Sequence, residues 1–352
     1  NLYFSNNIQL SLPRVLKFLI IILIVMSIKF LLSELKLEER RFIFKFWSFI
    51  LAIVIIDLLF ELIYGQNILG QKSIIPGRLA SFTGREMTIG NYFSAFSLIL
   101  LSLVYSANKN LFLNLLLAIS LMIISFLIGE RSNFIKTFSM IFVFMFVVYR
   151  FKLKYKFLFS SLIIVVIFSV LNLNENYKSR YISQLNNLFQ KNGLKIFINN
   201  SQYGAHYLVA KKIFYDNPIF GVGVKNFRVE SFNKKYEGIL SELNTDGSKK
   251  TLDTAKTFGK WTGGSTHPHQ IHYELLAETG IFGYASFFLF ILLSLFFSFS
   301  KYQKEKNIYC LSAMLYIFIN LIPLIPSGSL FSTYTAGLFW INYSIMVSNF
   351  KA

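Results

Sequence analysis

Three of the four histidines in this 352-residue chain fall within six positions, in Ser265-Thr266-His267-Pro268-His269-Gln270-Ile271-His272. A neutral imidazole near pH 7 can take a proton from a hydroxyl, which is the work of a general base in transfer to an alcohol. Glu274 and Glu278 follow directly. His-x-His with a third histidine close by also invites a zinc site, but Pro268 between the first two and the lack of an obvious fourth ligand count against it. The plain alternative is that these histidines cap a helix. A second group is cationic: Arg78, Arg85 and Arg131, with Arg228 as a fourth member. Guanidinium groups bind diphosphates through paired hydrogen bonds and stabilise charge growing on a leaving group. Arg131 follows Gly129-Glu130 between two apolar blocks, a costly place for charge unless it serves something. An ion pair with Glu130, or snorkelling to an interface, is the competing account. Arg85 and Glu86 can neutralise each other, and Arg228 can be a solvated surface residue. His206 is expected on the polar side of its helix, in a structural role.

These groups need a scaffold, and the sequence supplies an apolar one. Hydrophobic residues make up 54% of the chain and charged residues 15%, against roughly a quarter charged in soluble domains. The apolar residues gather in blocks such as 111–128, 134–148, 157–171 and 281–299, each near the length that crosses a hydrocarbon core. The expected fold is an all-α, polytopic transmembrane helical bundle of about nine spans. They are read at 15–33, 44–63, 92–107, 111–128, 133–149, 156–172, 280–299, 308–325 and 331–349.

The net charge of +18 sits largely in short connectors, where it acts as a topology signal rather than a nucleic-acid footprint. Connectors 33–45, 150–156 and 301–306 carry much of it, which makes their side cytoplasmic. Loop 64–91, the turn at Gly129-Glu130-Arg131 and the stretch 173–279 then face outward. In that stretch, 205–215 has amphipathic helical spacing and is expected on the membrane surface. Asp216-Asn-Pro218 stops it, Gly221-Val-Gly223 makes a tight turn, and 239–263 reads as a mobile excursion. The lone Cys310 excludes an intramolecular disulfide. The chain divides into 1–7, which resembles a protease-site remnant with a short tail, an amino-terminal bundle at 8–172, an outer segment at 173–279 and carboxyl-terminal helices at 280–352.

Pro218-Ile-Phe-Gly221-Val-Gly223-Val-Lys-Asn226-Phe227, then His267-Pro268-His269-Gln270, then Leu276-Ala-Glu278-Thr279-Gly280-Ile-Phe-Gly283 resemble the carboxyl-terminal signature of the bacterial O-antigen polymerase and ligase superfamily. Gly129-Glu130-Arg131-Ser132 resembles its arginine-bearing junction, and the run from Arg78 to Tyr92 its outer loop. The resemblance implies an inverting, metal-independent glycosyltransferase of the bacterial inner membrane that needs no cofactor. Its donor is a glycan on undecaprenyl diphosphate, met at the periplasmic face.

Carried onto this chain, the resemblance makes His269 the base and Arg131 the second catalytic residue. Arg78, Arg85, His267, Arg228, His272 and Glu278 then bind substrate. The ligase pattern places a histidine before Ser or Asn, with Leu three positions later and Gly eleven after the histidine. Here His269 and Gly280 fit, while Gln270 and Tyr273 depart. These departures incline the expectation to a polymerase, with a second lipid-linked glycan as acceptor. The alternative is a ligase that uses lipid A–core. A flippase or transporter of the same lipid-linked sugar is the remoter alternative, since it would line its spans with polar groups.

Overall fold

The computed structural model describes residues 2–149, 161, 168, 172, 175–189, 202–236, 264–323, 325–348 and 350, and among these it has helices and no strands. In chain order the α-helices are α1 (Ile8–Glu34), α2 (Leu37–Tyr64), α3 (Ile89–Ala107), α4 (Leu111–Leu127), α5 (Arg131–Tyr149), α6 (Glu175–Phe189), α7 (Gln202–Asp216), α8 (Phe227–Glu230), α9 (Ile271–Glu305), α10 (Ile308–Asn320) and α11 (Tyr334–Val347). Five of them, α1, α2, α3, α5 and α9, are long and apolar enough to cross a membrane. The expected spans at 111–128, 308–325 and 331–349 appear as α4, α10 and α11, of 17, 13 and 14 residues. These are shorter than the ~20 residues of an upright crossing. The excursion at 239–263, and the expected span at 156–172 apart from residues 161, 168 and 172, lie outside the described residues. The apolar windows of α1 and α9 are only 6% and 11% buried, as suits helices solvated by lipid rather than water.

The chain groups into two compact units. One unit, Val25–Ser183 with Leu295–Asn320 and Leu338–Ala352, is built around α3, which packs on α2, α4, α5 and α10. Two acids inside α2, Asp57 and Glu61, are fully buried. Asp57 accepts from the Ile68 amide at 2.7 Å, and Glu61 accepts from the Ala80 and Ser81 amides at 2.9 and 2.7 Å. These two carboxylates therefore hold the loop that follows the helix. Helix α6 docks at the far end of α4. There the Tyr177 and Tyr181 hydroxyls donate to the Leu127 and Phe126 carbonyls at 2.7 and 2.9 Å, oxygens that a helix end otherwise leaves unpaired.

The other unit is Asn1–Ile24 with Gln184–Ser294 and Leu321–Gly337. Its core joins Val209, Ala210 and Ile213 of α7 to Val222, Phe227, Tyr236 and Ala277. The two signature segments of the sequence meet here as a backbone ladder. Val222 and Gly223 donate to the Ala277 and Glu278 carbonyls at 3.0 and 2.9 Å, and Ile281 donates to Pro218 at 2.9 Å. Gly221 and Gly280 make that approach possible. Both have positive φ, +67° and +65°, and a Cβ on either would lie 2.3–2.7 Å from the opposite backbone. Gly280 also breaks the helical dihedrals inside α9, which separates 271–279 from the membrane-crossing part.

Candidate active site

Gln270 opens the histidine region by capping α9. Its side-chain oxygen accepts from the His272 and Tyr273 amides at 2.6 and 3.1 Å. A Ser or Asn at that position would supply the same chemistry, so the first departure from the ligase pattern preserves a cap. Just before it, His269 adopts a left-handed backbone, φ 56°. Its carbonyl accepts from the Ser327 amide at 2.8 Å, while the Ser327 hydroxyl accepts from the Ile271 amide at 3.0 Å. The 325–331 segment thus straps the histidine turn in place.

Three imidazoles converge. The ring centroids of His267 and His269 are 4.0 Å apart, and those of His206 and His269 are 5.4 Å apart. His206 is a correction to the expectation of a polar, outward position: it is 1% exposed and faces His269 from α7. The same helix is not a surface-lying amphipath, since Val209, Ala210 and Ile213 are fully buried. Burial, with His206 adding to it, pulls the His269 pKa down to about 4. Burial, then His269, Lys225, His206 and Arg228 pull His267 down to about 2. Both rings are therefore neutral at physiological pH and able to accept a proton. Among the described residues, no three His, Cys, Asp or Glu side chains are arranged to hold a metal ion.

His272 points elsewhere. Its Nε2 bonds the Leu321 carbonyl at 2.8 Å, its Nδ1 bonds the Tyr284 hydroxyl at 3.0 Å, and its ring stacks on Phe288 at 4.5 Å. With both nitrogens engaged, it fits a packing role rather than the substrate contact expected of it. Glu278 is likewise turned inward. It is fully buried and accepts from the Lys225 and Phe227 amides at 2.6 and 3.2 Å. One turn earlier, Glu274 accepts from the Leu330 amide at 2.8 Å and from the Ser329 hydroxyl. Lys225 Nζ donates to that hydroxyl at 3.3 Å. This i,i+4 carboxylate pair ties the Gly221–Gly223 turn and the 325–331 strap to the helix that begins at the histidines. Arg228 is half-buried close to His267, and its Nε has no hydrogen-bond partner among the described residues.

The expected arginines gather in the other unit, with one addition. Arg78 pairs with Glu130 at 3.2 Å and also donates to the Met87 carbonyl. Arg131 does not take Glu130 as its ion-pair partner; its Nη1 donates to the Arg180 carbonyl at 2.9 Å, and Arg180 Nε donates to Gly129 O at 3.1 Å. Glu130 also accepts from the Gly90 amide at 3.1 Å and from Asn133. Burial pushes the Glu130 carboxyl up, against the pull of Arg78. Burial, then Arg131 and Arg78, push Arg180 down. Arg78, Arg131 and Arg180 thus lie near one another, with Glu130 paired to Arg78 and the other two bonded to backbone carbonyls. Arg85 is exposed at the close of the Ser81–Glu86 turn and stands outside this set.

Sequence reasoning missed Arg180, Lys225 and Lys136. Lys136 lies in α5 at 2% exposure, with Nζ 3.0 Å from Asn320 Oδ1. Its signal was legible, since a lone lysine in an apolar span is a functional candidate by default. Arg180 had no such signal, because its partners lie some fifty residues upstream in the chain.

A family model described as O-antigen ligase matches residues 112–288, half of the chain. That segment contains the arginine junction, the glycine ladder and all three clustered histidines. No curated protein matches the chain. The order of the motifs, the ladder that joins two of them and the extent of the match together mean that the chain belongs to the O-antigen ligase family, within the O-antigen polymerase and ligase superfamily.

Proposed function

We propose that this membrane protein transfers a glycan from undecaprenyl diphosphate to a sugar hydroxyl at the periplasmic face of the inner membrane, with His269 as general base. Family membership makes it a lipopolysaccharide-related glycan transferase; the donor, the acceptor and the residue roles are the proposal. The acceptor O–H gives its proton to His269 as the oxygen attacks the anomeric carbon. The bond from that carbon to the diphosphate oxygen breaks with inversion, and undecaprenyl diphosphate leaves. His267 keeps the neighbourhood of the base desolvated and neutral. Arg78, Arg131 and Arg180 are proposed diphosphate ligands that stabilise charge on the leaving group without a metal. Arg228, with its unpartnered Nε, is a further anion ligand beside the histidines.

One observation carries the proposal: a half-buried pair of neutral imidazoles, 4.0 Å between centroids, with Lys225 and Arg228 close enough to His267 to depress its protonation. A base with a pKa of about 4 is weak by itself. An anionic donor bound nearby would favour the imidazolium and bring it closer to the working range.

With Gln270 conserving the cap, the polymerase reading rests on Tyr273, while the family description favours the ligase reading. Both are tested with purified protein and undecaprenyl-diphosphate-linked repeat units in EDTA, first alone and then with lipid A–core. A ladder of longer lipid-linked glycans without core lipid identifies a polymerase. Product that appears only with core lipid identifies a ligase. No product, with sugar crossing proteoliposomes, overturns the enzyme reading.

A further inference from the structure

Helix α7 places Tyr203, His206 and Tyr207 at i, i+3 and i+4, on one face. That face meets the histidine turn. Tyr203 sets its ring edge-to-face against His269 at 5.4 Å and 68°, and Tyr207 stacks on Tyr273 at 4.8 Å and 12°. Tyr203 and Tyr273 are half-buried. Tyr207 is 3% exposed, yet its hydroxyl has no hydrogen-bond partner among the described residues. A ring needed for packing alone could be phenylalanine, and an unmade bond at a buried hydroxyl costs stability. The cost makes sense if something else supplies the partner.

We propose that Tyr203, Tyr207 and Tyr273 form the platform for the acceptor's pyranose ring, with the Tyr207 hydroxyl bonding a sugar hydroxyl. A pyranose presents C–H groups on one face and hydroxyls around its rim. It is therefore met by aromatic surface below and a small number of placed polar groups at the edge. The platform borders the base directly, so the ring it holds is the one whose hydroxyl gives up the proton. The donor sugar has no need of a base. Tyr273 stands where the ligase pattern has leucine, so the stacked pair is a feature of this chain's own residues. The phenol stays protonated as a donor, because burial and the neighbouring tyrosines push its pKa well above the usual range.

The inference rests on the reading of His269 as base, and the test separates the two. Saturation-transfer NMR is run on the protein in nanodiscs with the methyl glycosides of glucose, galactose, mannose and N-acetylglucosamine as probes. The expected result is transfer to the ring C–H protons of at least one probe. Tyr203→Phe should retain it, and Tyr203→Ala should lose it. Tyr207→Phe, which keeps the ring and the packing, should bind about tenfold more weakly. His269→Ala should still bind the sugar while failing to transfer glycan. No transfer to any probe, or equal binding by Tyr207→Phe and Tyr203→Ala, overturns the platform. A change confined to the KM of a lipid-linked donor, with the acceptor KM constant, also overturns it. Glycan transfer by His269→Ala overturns the base and leaves the platform standing.

Discussion

His269 and His272 sit three residues apart in sequence and have opposite fates. His269 is bordered by two other imidazoles and a tyrosine edge, whereas His272 spends both nitrogens on protein partners. His269→Ala is expected to lower turnover by roughly 10²–10⁴-fold, the usual worth of a general base, with thermal unfolding unchanged. His272→Phe should do the reverse, keeping turnover and lowering the unfolding temperature as the Leu321 and Tyr284 contacts go. The pH dependence is equally specific. With His269 at about 4, kcat/KM should be flat across neutral pH and fall only as pH drops through that region. A limb near 6.5 would mean the ring is not desolvated. Stability carries the matching sign. The folded pKa lies below the unfolded ~6.5, so between the two the unfolded chain binds more protons, and acidification through that window costs stability.

At the level of elements, the two glycine-bearing segments act as one device. The ladder between 218–223 and 277–282 sets where 271–279 ends and the crossing part of α9 begins, and the carboxylates of Glu274 and Glu278 hold the flanking loops to it. Gly221→Ala or Gly280→Ala combines a positive φ with a clash against backbone. Each should cost at least about 1–3 kcal/mol, seen as a lower unfolding temperature in detergent and a parallel loss of transfer. Helix α6 is anchored differently, by tyrosine hydroxyls and the Arg180–Gly129 bond. Arg180→Ala should therefore raise the donor KM, and Arg180→Lys should not restore it, since a lysine lacks the planar fork. Unchanged donor KM in both variants would remove Arg180 from the diphosphate ligands.

On the proposed topology, the positive connectors face the cytoplasm and residue 85 faces outward. Cys310 is buried and is the sole cysteine, so Cys310→Ser makes a clean background for labelling. In that background Arg85→Cys should react with a membrane-impermeant maleimide from outside, and Lys304→Cys only after permeabilisation. Both positions are exposed. Reversed labelling would put the histidines on the cytoplasmic side and sink the periplasmic assignment.

Helical class and the membrane as solvent were legible in the sequence, because each is a local property. Apolar block length marks the five helices long enough to cross a membrane but not the expected count of nine, and Pro218 and Asp216 end α7 where the spacing predicts. The histidine cluster and the glycine signature stand out by residue type. What the sequence could not tell was which groups are spent on the fold. Asp57, Glu61, Glu278 and His272 resemble site residues in type, but their partners are amides, carbonyls and a hydroxyl brought from elsewhere in the chain. The converse holds for Arg180, Tyr207 and His206, whose neighbours arrive only with the folded backbone. Desolvation of the imidazoles is of the same kind. It depends on what surrounds a ring in three dimensions, and only the tertiary structure decides that.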